Sequence, residues 1–394
     1  MTPRFALQHL AVAGLACVFA AGAHAGVLPD ERADVMWTTY QGGGITVQGP
    51  SILVRKNFAD TVSVSAGFLV DQVTGASIDM IVVHASPLRE ERKQKTLSVD
   101  YLYGKTTYTA GVQNGVENDY DSSTANVAIK QDMFGDMTSV TLGASKGWDI
   151  VTRIVPATHR RDPNFRKRVD RKTWSLGLSQ VLSRNLIGGF DFEEITEQGY
   201  LPNPYRDYRF LATLNPPSFN TTAEIYPGTR TSKAYAGRLK YYLPWRGAIT
   251  GKYRYYLDTW GIRAHTAEVG YTQPFFKDRL IYDVNVRRYS QNSAVFYSDL
   301  FRVQNQQNFM GRDKELASQT NESVGVALSY DLLRTKRWRI KKLAVSLHFD
   351  YIMYRFNNFR DARFGLPNGP LAAGTEPLYH FNAKVVQALY SVWF

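Results

Sequence analysis

A single cysteine, Cys17, occurs in 394 residues, so a disulfide framework cannot be built. Beyond the N-terminus no apolar run approaches the ~18 residues a membrane-crossing helix needs, and the mean hydropathy is −0.30. A polytopic helical membrane protein is thereby excluded. No amphipathic helix pattern is evident after residue 25. HExxH, a Walker A loop and a nucleophile elbow are all missing. Acidic residues are the scarcer charge, 35 against 47 Lys+Arg, a net charge of +12. Hydrophobic residues at 44% are nevertheless too many for a wholly disordered chain. Aromatics are abundant at 13%, with 24 Tyr.

The first segment reads as an export address. Arg4 gives a positive start, Phe5 to Ala21 is mostly Ala, Val, Leu, Gly and Phe, and Ala23-His24-Ala25 is a small-x-small cleavage site. Residues 1–25 are therefore expected to be a cleaved Sec signal peptide. The rival reading, acylation at Cys17, fits poorly with Gly14-Leu15-Ala16 before it. An exported chain with no cysteine left after cleavage must draw its order from hydrogen bonding rather than cross-links.

Residues 26–394 read as one domain of strands. Leu97, Val99, Tyr101 and Tyr103 alternate with Ser98, Asp100 and Leu102. Ile249, Gly251, Tyr253, Tyr255 and Leu257 alternate with Thr250, Lys252, Arg254 and Tyr256. Leu343, Val345, Leu347, Phe349 and Tyr351 alternate with Ala344, Ser346, His348 and Asp350. Short connections near Asn57–Asp60, Gly104–Lys105, Met133–Asp136, Ser183–Asn185, Pro244–Gly247 and Lys277–Arg279 take turns with long ones. The long ones are expected at Asp149–Asp170, Thr196–Thr229, Asn292–Leu316 and Asn357–Phe381, and ten of the 16 prolines fall within them. Outer-membrane barrels pair short periplasmic turns with long extracellular loops in this way.

The chain ends on Phe394, with Val392, Tyr390, Ala388 and Val386 at every second position before it. Such a stripe is similar to the assembly signal of bacterial outer-membrane barrels, a last strand that closes on the first and removes an exposed edge. The predicted fold is an all-β, transmembrane outer-membrane antiparallel barrel of about 16 strands. About 14 remain if the Gly-rich segment Asp34–Lys56 lies in the lumen. A secreted β-sandwich is the alternative. Trp37, Trp148, Trp174, Trp245 and Trp393 are expected near strand ends, where aromatic girdles meet headgroups.

Several segments resemble a bacterial family catalogued as DUF3570, a domain of unknown function. They are Arg32-Ala-Asp34 through Tyr40-Gln-Gly-Gly-Gly44 to Pro50-Ser51, Ala76-Ser-Ile-Asp79, Ala85-Ser-Pro87 with Glu90-Glu91-Arg92, and Gly147-Trp-Asp149. Tyr253-Arg-Tyr-Tyr-Leu-Asp258-Thr-Trp-Gly-Ile with His265-Thr-Ala-Glu268, and Arg312-Asp-Lys-Glu-Leu316, resemble it too. The resemblance covers nearly all of residues 26–394. It implies a proteobacterial outer-membrane protein and no activity. It also implies neighbours of thioredoxin-like and flavin-transferase type, which hints at redox or metal physiology and fixes no residue.

No chemistry is indicated. His84, His159, His265, His348 and His380 show no ligand spacing with another His or a Cys, and no metal or cofactor is expected. His265 and Glu268, three apart, should face opposite sides of a strand. An outer-membrane hydrolase stays a minor alternative. The informative residues lie on the polar face. Arg238, Lys240, Lys252, Arg254 and Arg287 should point into the lumen with Glu193, Glu268, Asp283, Asp331 and Asp350, and such a basic stripe facing acids shapes the field of a porin. Tyr242, Tyr256, Tyr289 and Tyr354 on the same face would partly fill it. Two segments too charged for a lipid-facing wall, Ala76–Arg92 with Asp79, Glu90, Glu91 and Arg92, and Arg312–Leu316 with Arg312, Asp313 and Glu315, are expected to fold inward, pair with basic wall residues and constrict the pore. Two basic clusters stand outside the wall: Arg153–Lys172, in an expected extracellular loop that suits phosphates, and Arg334–Lys342, in an expected periplasmic turn.

The expected function is porin-like passage of small anionic solutes across the outer membrane of a Gram-negative bacterium. The alternative is a non-conducting barrel that docks a periplasmic redox or metal-handling partner. Expected partners are outer-membrane lipids, lipopolysaccharide and the barrel-assembly machinery, and not nucleic acid.

Overall fold

The computed structural model describes residues 27–75, 88–155, 157–335 and 339–394. The signal segment and Asp79 lie outside the described residues. Eighteen strands follow in chain order: β1 (Arg32–Gly42), β2 (Ile45–Phe58), β3 (Val62–Gly75), β4 (Leu88–Tyr103), β5 (Thr106–Val116), β6 (Tyr120–Met133), β7 (Thr138–Val155), β8 (Arg160–Ser183) and β9 (Leu186–Gly199). Then come β10 (Asp207–Leu214), β11 (Pro217–Ala223), β12 (Thr229–Tyr242), β13 (Ala248–Asp258), β14 (Arg263–Phe275), β15 (Leu280–Gln291), β16 (Gln319–Arg334), β17 (Lys342–Arg360) and β18 (Leu378–Trp393).

Sixteen strands close into one antiparallel barrel, and β10 and β11 form a separate hairpin. Closure runs from Arg32 opposite Trp393 to Gly42 opposite Ala383, so both ends of the barrel chain meet at the short-turn end. Asp34–Lys56 is thus part of the wall as β1 and β2, and the 14-strand alternative falls away. No strand of the barrel is left with an unpaired edge. A strand spacing of 4.8 Å and a tilt near 40° put the backbone of sixteen strands roughly 16 Å from the axis, too wide for side chains alone to fill.

The alternation carries through. Exposed apolar residues sit at every second position and face outward: Val35 and Trp37, Ile52 and Val54, Leu97, Val99 and Tyr101, Leu142, Leu239 and Tyr241, Leu347 and Phe349, Val386 and Tyr390. Their neighbours turn inward, with Asp34, Ser63, Ser65, Asp71 and Asp100 buried on that face. Short turns form where residues accept positive φ, as at Ala59-Asp60, Phe134-Gly135-Asp136 and Phe276-Lys277-Asp278. Gly43 and Gly44, with φ of 60° and 82°, make the β1–β2 turn. At Gly49 a Cβ would meet the Val70 carbonyl at 1.7 Å, and the β2–β3 ladder opens there beside Pro50.

Two expected loops are strands. Asp149–Asp170 is the upper half of a β7–β8 ribbon that overshoots the rest of the wall. Its charge hid the strand pattern, because above an apolar band nothing selects apolar residues. Pro163 cannot donate to the ladder, and the register breaks between Thr152 and Ile154 opposite it. Arg153 closes the gap, bonding Asp162 at 2.8 Å and lying over the Phe165 ring. Thr196–Thr229 likewise contains the β10–β11 hairpin. The tryptophans correct another expectation. Trp37, Trp148 and Trp174 lie in strand interiors, whereas Trp245, in the turn between β12 and β13, and Trp393 lie near strand ends as expected. The overshoot of β7 and β8 explains Trp148 and Trp174, since their strands continue well past them.

Candidate functional site

The inward face of β12–β15 gathers the charge. Antiparallel register places Arg238 opposite Lys252, Lys252 opposite Glu268, and Glu268 opposite Arg287, one row across four strands. Within that row Lys252 bonds Glu268 at 2.8 Å. Arg254 lies on the row above, over the Tyr256 ring, and Lys240 on the row below, over the Tyr242 ring. Arg238, Lys240, Arg254 and Arg287 form no ion pair among the described residues. Arg238, Lys252 and Arg287 are solvent-exposed although they face inward, so water reaches the middle of the lumen on this side. Asp283 is hydrogen-bonded by Thr272, and Asp350 contacts His348 at 3.3 Å. Asp331 holds Arg334 and Lys342 at the short-turn end. Glu193 shares the inward face on β9. Tyr242, Tyr256, Tyr289 and Tyr354 lie on that face as well. His265 points the other way from Glu268, outward, with Nδ1 2.6 Å from the Tyr253 hydroxyl.

The inward face of β17, β18 and β1–β3 is different in kind. Tyr354 stacks on Phe381 at 4.5 Å between ring centroids, Phe356 packs against Phe359 and Tyr379, and Tyr40, Val47, Val73 and Val385 form a contiguous apolar cluster. This apolar inner wall is the seat of a cap made from three connections, 200–228, 292–318 and 361–377. Phe219 of β11 and Ala373 of the last connection join the Phe356–Phe359 cluster. Tyr226, Trp260, Phe296 and Leu316 form a second core, and Tyr208, Phe301 and Met310 a third. Backbone bonds knit the connections, Leu211 N to Phe301 O at 3.0 Å and Ala373 N to Pro217 O at 2.9 Å.

Guanidinium groups buried in the cap each meet more than one partner. Arg209 reaches Glu376 at 2.5 Å and also Asp299. Arg312 bonds Asp299 at 3.1 Å and the Arg360 carbonyl at 2.8 Å, and covers the Phe359 ring. Arg206 pairs with Asp313 and lies 3.9 Å from Glu315. Glu224 accepts from the Arg312 amide and the Tyr226 hydroxyl, both at 2.5 Å. Burial alone would loosen the Arg209 proton, but the Asp299 and Glu376 carboxylates outweigh it and hold the charge more firmly than usual. Burial, then the Glu224 charge, pushes the Tyr226 hydroxyl well above its ordinary range.

The residues expected to constrict the pore are therefore only partly where they were placed. Glu90 and Arg92 face inward on β4, with Arg92 3.6 Å from Glu117 and 2.6 Å from Gln94. Arg312, Asp313 and Glu315 do sit in the mouth. Gln291 at the top of β15 donates to the Glu315 carbonyl at 2.9 Å. Their partners, however, are Arg206 and Asp299 of neighbouring connections, not basic wall residues. A folded cap offers shorter and drier pairings than the open wall does. Arg206, Arg209, Glu224, Asp299 and Glu376 were not singled out from the sequence. They have no periodicity, and only their charge inside long connections marks them. Among the described residues no three His, Cys, Asp or Glu side chains gather as a metal site.

No curated protein matches this sequence. Among solved structures, the chain is similar to a bacterial polysaccharide outer membrane secretin, with a TM-score of 0.46, 8% identity, 93% of this chain and 100% of that one covered. It is similar to the outer membrane protein OpdK from Pseudomonas aeruginosa, with a TM-score of 0.42, 10% identity, and 93% and 100% covered. The siderophore receptor PirA from Pseudomonas aeruginosa gives a TM-score of 0.43 and 9% identity over 84% of this chain. The chain spans 59% of that receptor's length. The model of one protein family, described as protein of unknown function, matches residues 79–362. The resemblance of the quoted motifs and this match agree: the chain belongs to the DUF3570 family.

Proposed function

We propose that the protein is an outer-membrane barrel through which small anionic solutes pass, with the cap narrowing the entrance. The observation that carries this reading is the row Arg238, Lys252, Glu268 and Arg287, three cations to one anion, inward-facing and wetted. Fixed charge of one sign on a low-dielectric wall concentrates the opposite ion. The outward apolar face supports a bilayer location, since an exposed apolar belt this large would aggregate in water. With both barrel termini and the short turns at one end, that end is assigned to the periplasm and the cap to the cell exterior. The buried ion pairs of the cap are assigned to holding it together, because each carboxylate there is already held by a guanidinium, an amide or a hydroxyl. We assign no reaction to them.

A second reading, a non-conducting barrel that docks a periplasmic partner, is favoured by the aromatic packing of the cap on β17 and β18. Planar-bilayer recording separates the two. Stepwise conductance with a reversal potential on the anion side supports passage, and a silent, correctly folded barrel supports docking.

A further inference from the structure

The outer wall carries a second basic feature. Lys146 on β7 and Lys172 on β8 are directly opposite, and both face outward beside Trp148 and Trp174. Like charges directly opposite on one face of a sheet are destabilising. Neither lysine forms an ion pair among the described residues, although Lys146 lies over the Trp148 ring at 5.4 Å. The acids close by are engaged elsewhere: Asp170 by Arg168 at 2.7 Å, Asp121 by Arg161 at 2.5 Å, and Glu194 by Lys233 at 3.3 Å. Trp148 itself forms the near wall of a groove that opens across β4–β7. Lys95 stands at its far lip, Asn114 and Ser123 cross its upper floor, and Leu97, Val112 and Ala125 line it below. Asn114 donates to Ser123 at 3.2 Å.

We propose that this groove is a binding site for a phosphorylated, acylated lipid of the surrounding leaflet. Its phosphate would neutralise Lys146 and Lys172, Lys95 would meet the far side of the headgroup, and an acyl chain would start at Leu97, Val112 and Ala125, which share the register row of the two lysines, and run down over Val127 and Ile129. The level supports a lipid over a soluble anion. The lysines sit at the top of the apolar band, with Leu142, Trp174 and Leu178 directly beneath them toward the short-turn end. A cation at that height meets a headgroup rather than open solvent. The proposal rests on the bilayer location given above. It places the phosphate contact on the wall, whereas in the β7–β8 ribbon above it Arg153, Arg161, Arg168 and Arg171 already hold carboxylates.

The test is native mass spectrometry of the full detergent-solubilised barrel with bis-phosphorylated lipid A, with the same lipid dephosphorylated, and with inorganic phosphate. The phosphorylated lipid should stay bound, and K146A/K172A should weaken it roughly twenty-five-fold, at about a factor of five per lysine. Lys233→Ala, an outward lysine already paired, should change nothing, and K146R/K172R should retain binding. Heat-modifiable migration reports whether each variant is folded. Should the alanine pair fail to fold, K146Q/K172Q gives the same comparison. Equal retention of the dephosphorylated lipid, an unaffected double variant, or equally tight inorganic phosphate would each overturn the proposal. A wild-type protein that binds no lipid yet inserts into vesicles refutes the site alone. Failure to insert at all refutes the bilayer reading instead.

Discussion

Arg209 and Glu376, 167 positions apart, meet at 2.5 Å with side chains 1% and 0% exposed. One comes from the β10–β11 hairpin and the other from the connection before the last strand, so a single buried pair pins two of the three cap segments together. Asp299 of the third segment bonds the same guanidinium. A charge so enclosed tolerates no missing partner, because the survivor stays desolvated.

Replacing Arg209 by Ala should therefore release the cap. The expected loss is about 3–5 kcal/mol of cap stability, as for one partner removed from a buried pair. Hydrogen exchange should rise across 200–228, 292–318 and 361–377 while the barrel strands stay protected. A uniform rise over barrel and cap would mean that the two are one cooperative unit.

Phe359 is fully buried between Arg312 and the Phe356–Tyr379 cluster. Phe359→Ala should cost about 3–5 kcal/mol through the cavity it leaves. Single-channel noise and limited proteolysis of the cap should both increase. Unchanged proteolysis would show that the aromatic seat is not what holds the cap.

Neutralising the lumenal row tests the proposed selectivity. R238Q/K252Q/R287Q leaves Glu268 as the row's one charge, and the anion preference should fall several-fold or reverse in a salt gradient. Retained anion preference would move selectivity elsewhere. Replacing Arg312, Asp313 and Glu315 by Ala should instead raise conductance, since those residues tie the cap across the mouth, and an unchanged conductance would remove them from the constriction.

Phe394 is clasped at the seam. Its amide bonds the Glu31 carbonyl at 3.4 Å, Lys341 reaches its carbonyl at 3.2 Å, and Lys56 lies over its ring at 5.4 Å. Deletion of Phe394 should lower the yield of heat-modifiable barrel in the outer membrane and raise degradation. Normal yield of the truncated protein would dismiss the assembly-signal role.

At the ribbon tip, the hydrogen bond from Arg153, then the Asn164 amide, holds the Asp162 carboxyl below its usual range. A depressed folded value means the latch is fully present above the unfolded value near 4, and is lost as pH falls through the folded one. Protection factors at residues 160–166, with the intrinsic pH dependence of amide exchange divided out, should be flat from pH 7 to 5 and fall below about pH 4. A flat profile down to pH 2 would argue against the latch.

Much of the barrel was legible in the sequence. Side chains on a strand alternate, and a wall with an apolar outer side and a polar inner side must repeat every two residues. Val386, Tyr390 and Val392 face outward, and Arg238, Lys252, Glu268 and Arg287 inward, as that period requires. The rule loses its force where both faces meet water, and for that reason the pattern of Asp149–Asp170 predicts a loop where the chain forms the β7–β8 ribbon. The tertiary structure alone decided the row of charges and the cap. Which inward residues share a level depends on the register between strands, and Arg238 meets Lys252 only through the pairing of β12 with β13. Arg209 finds Glu376 and Asp299 because three connections fold over one aromatic wall, a matter of closure that no local pattern encodes.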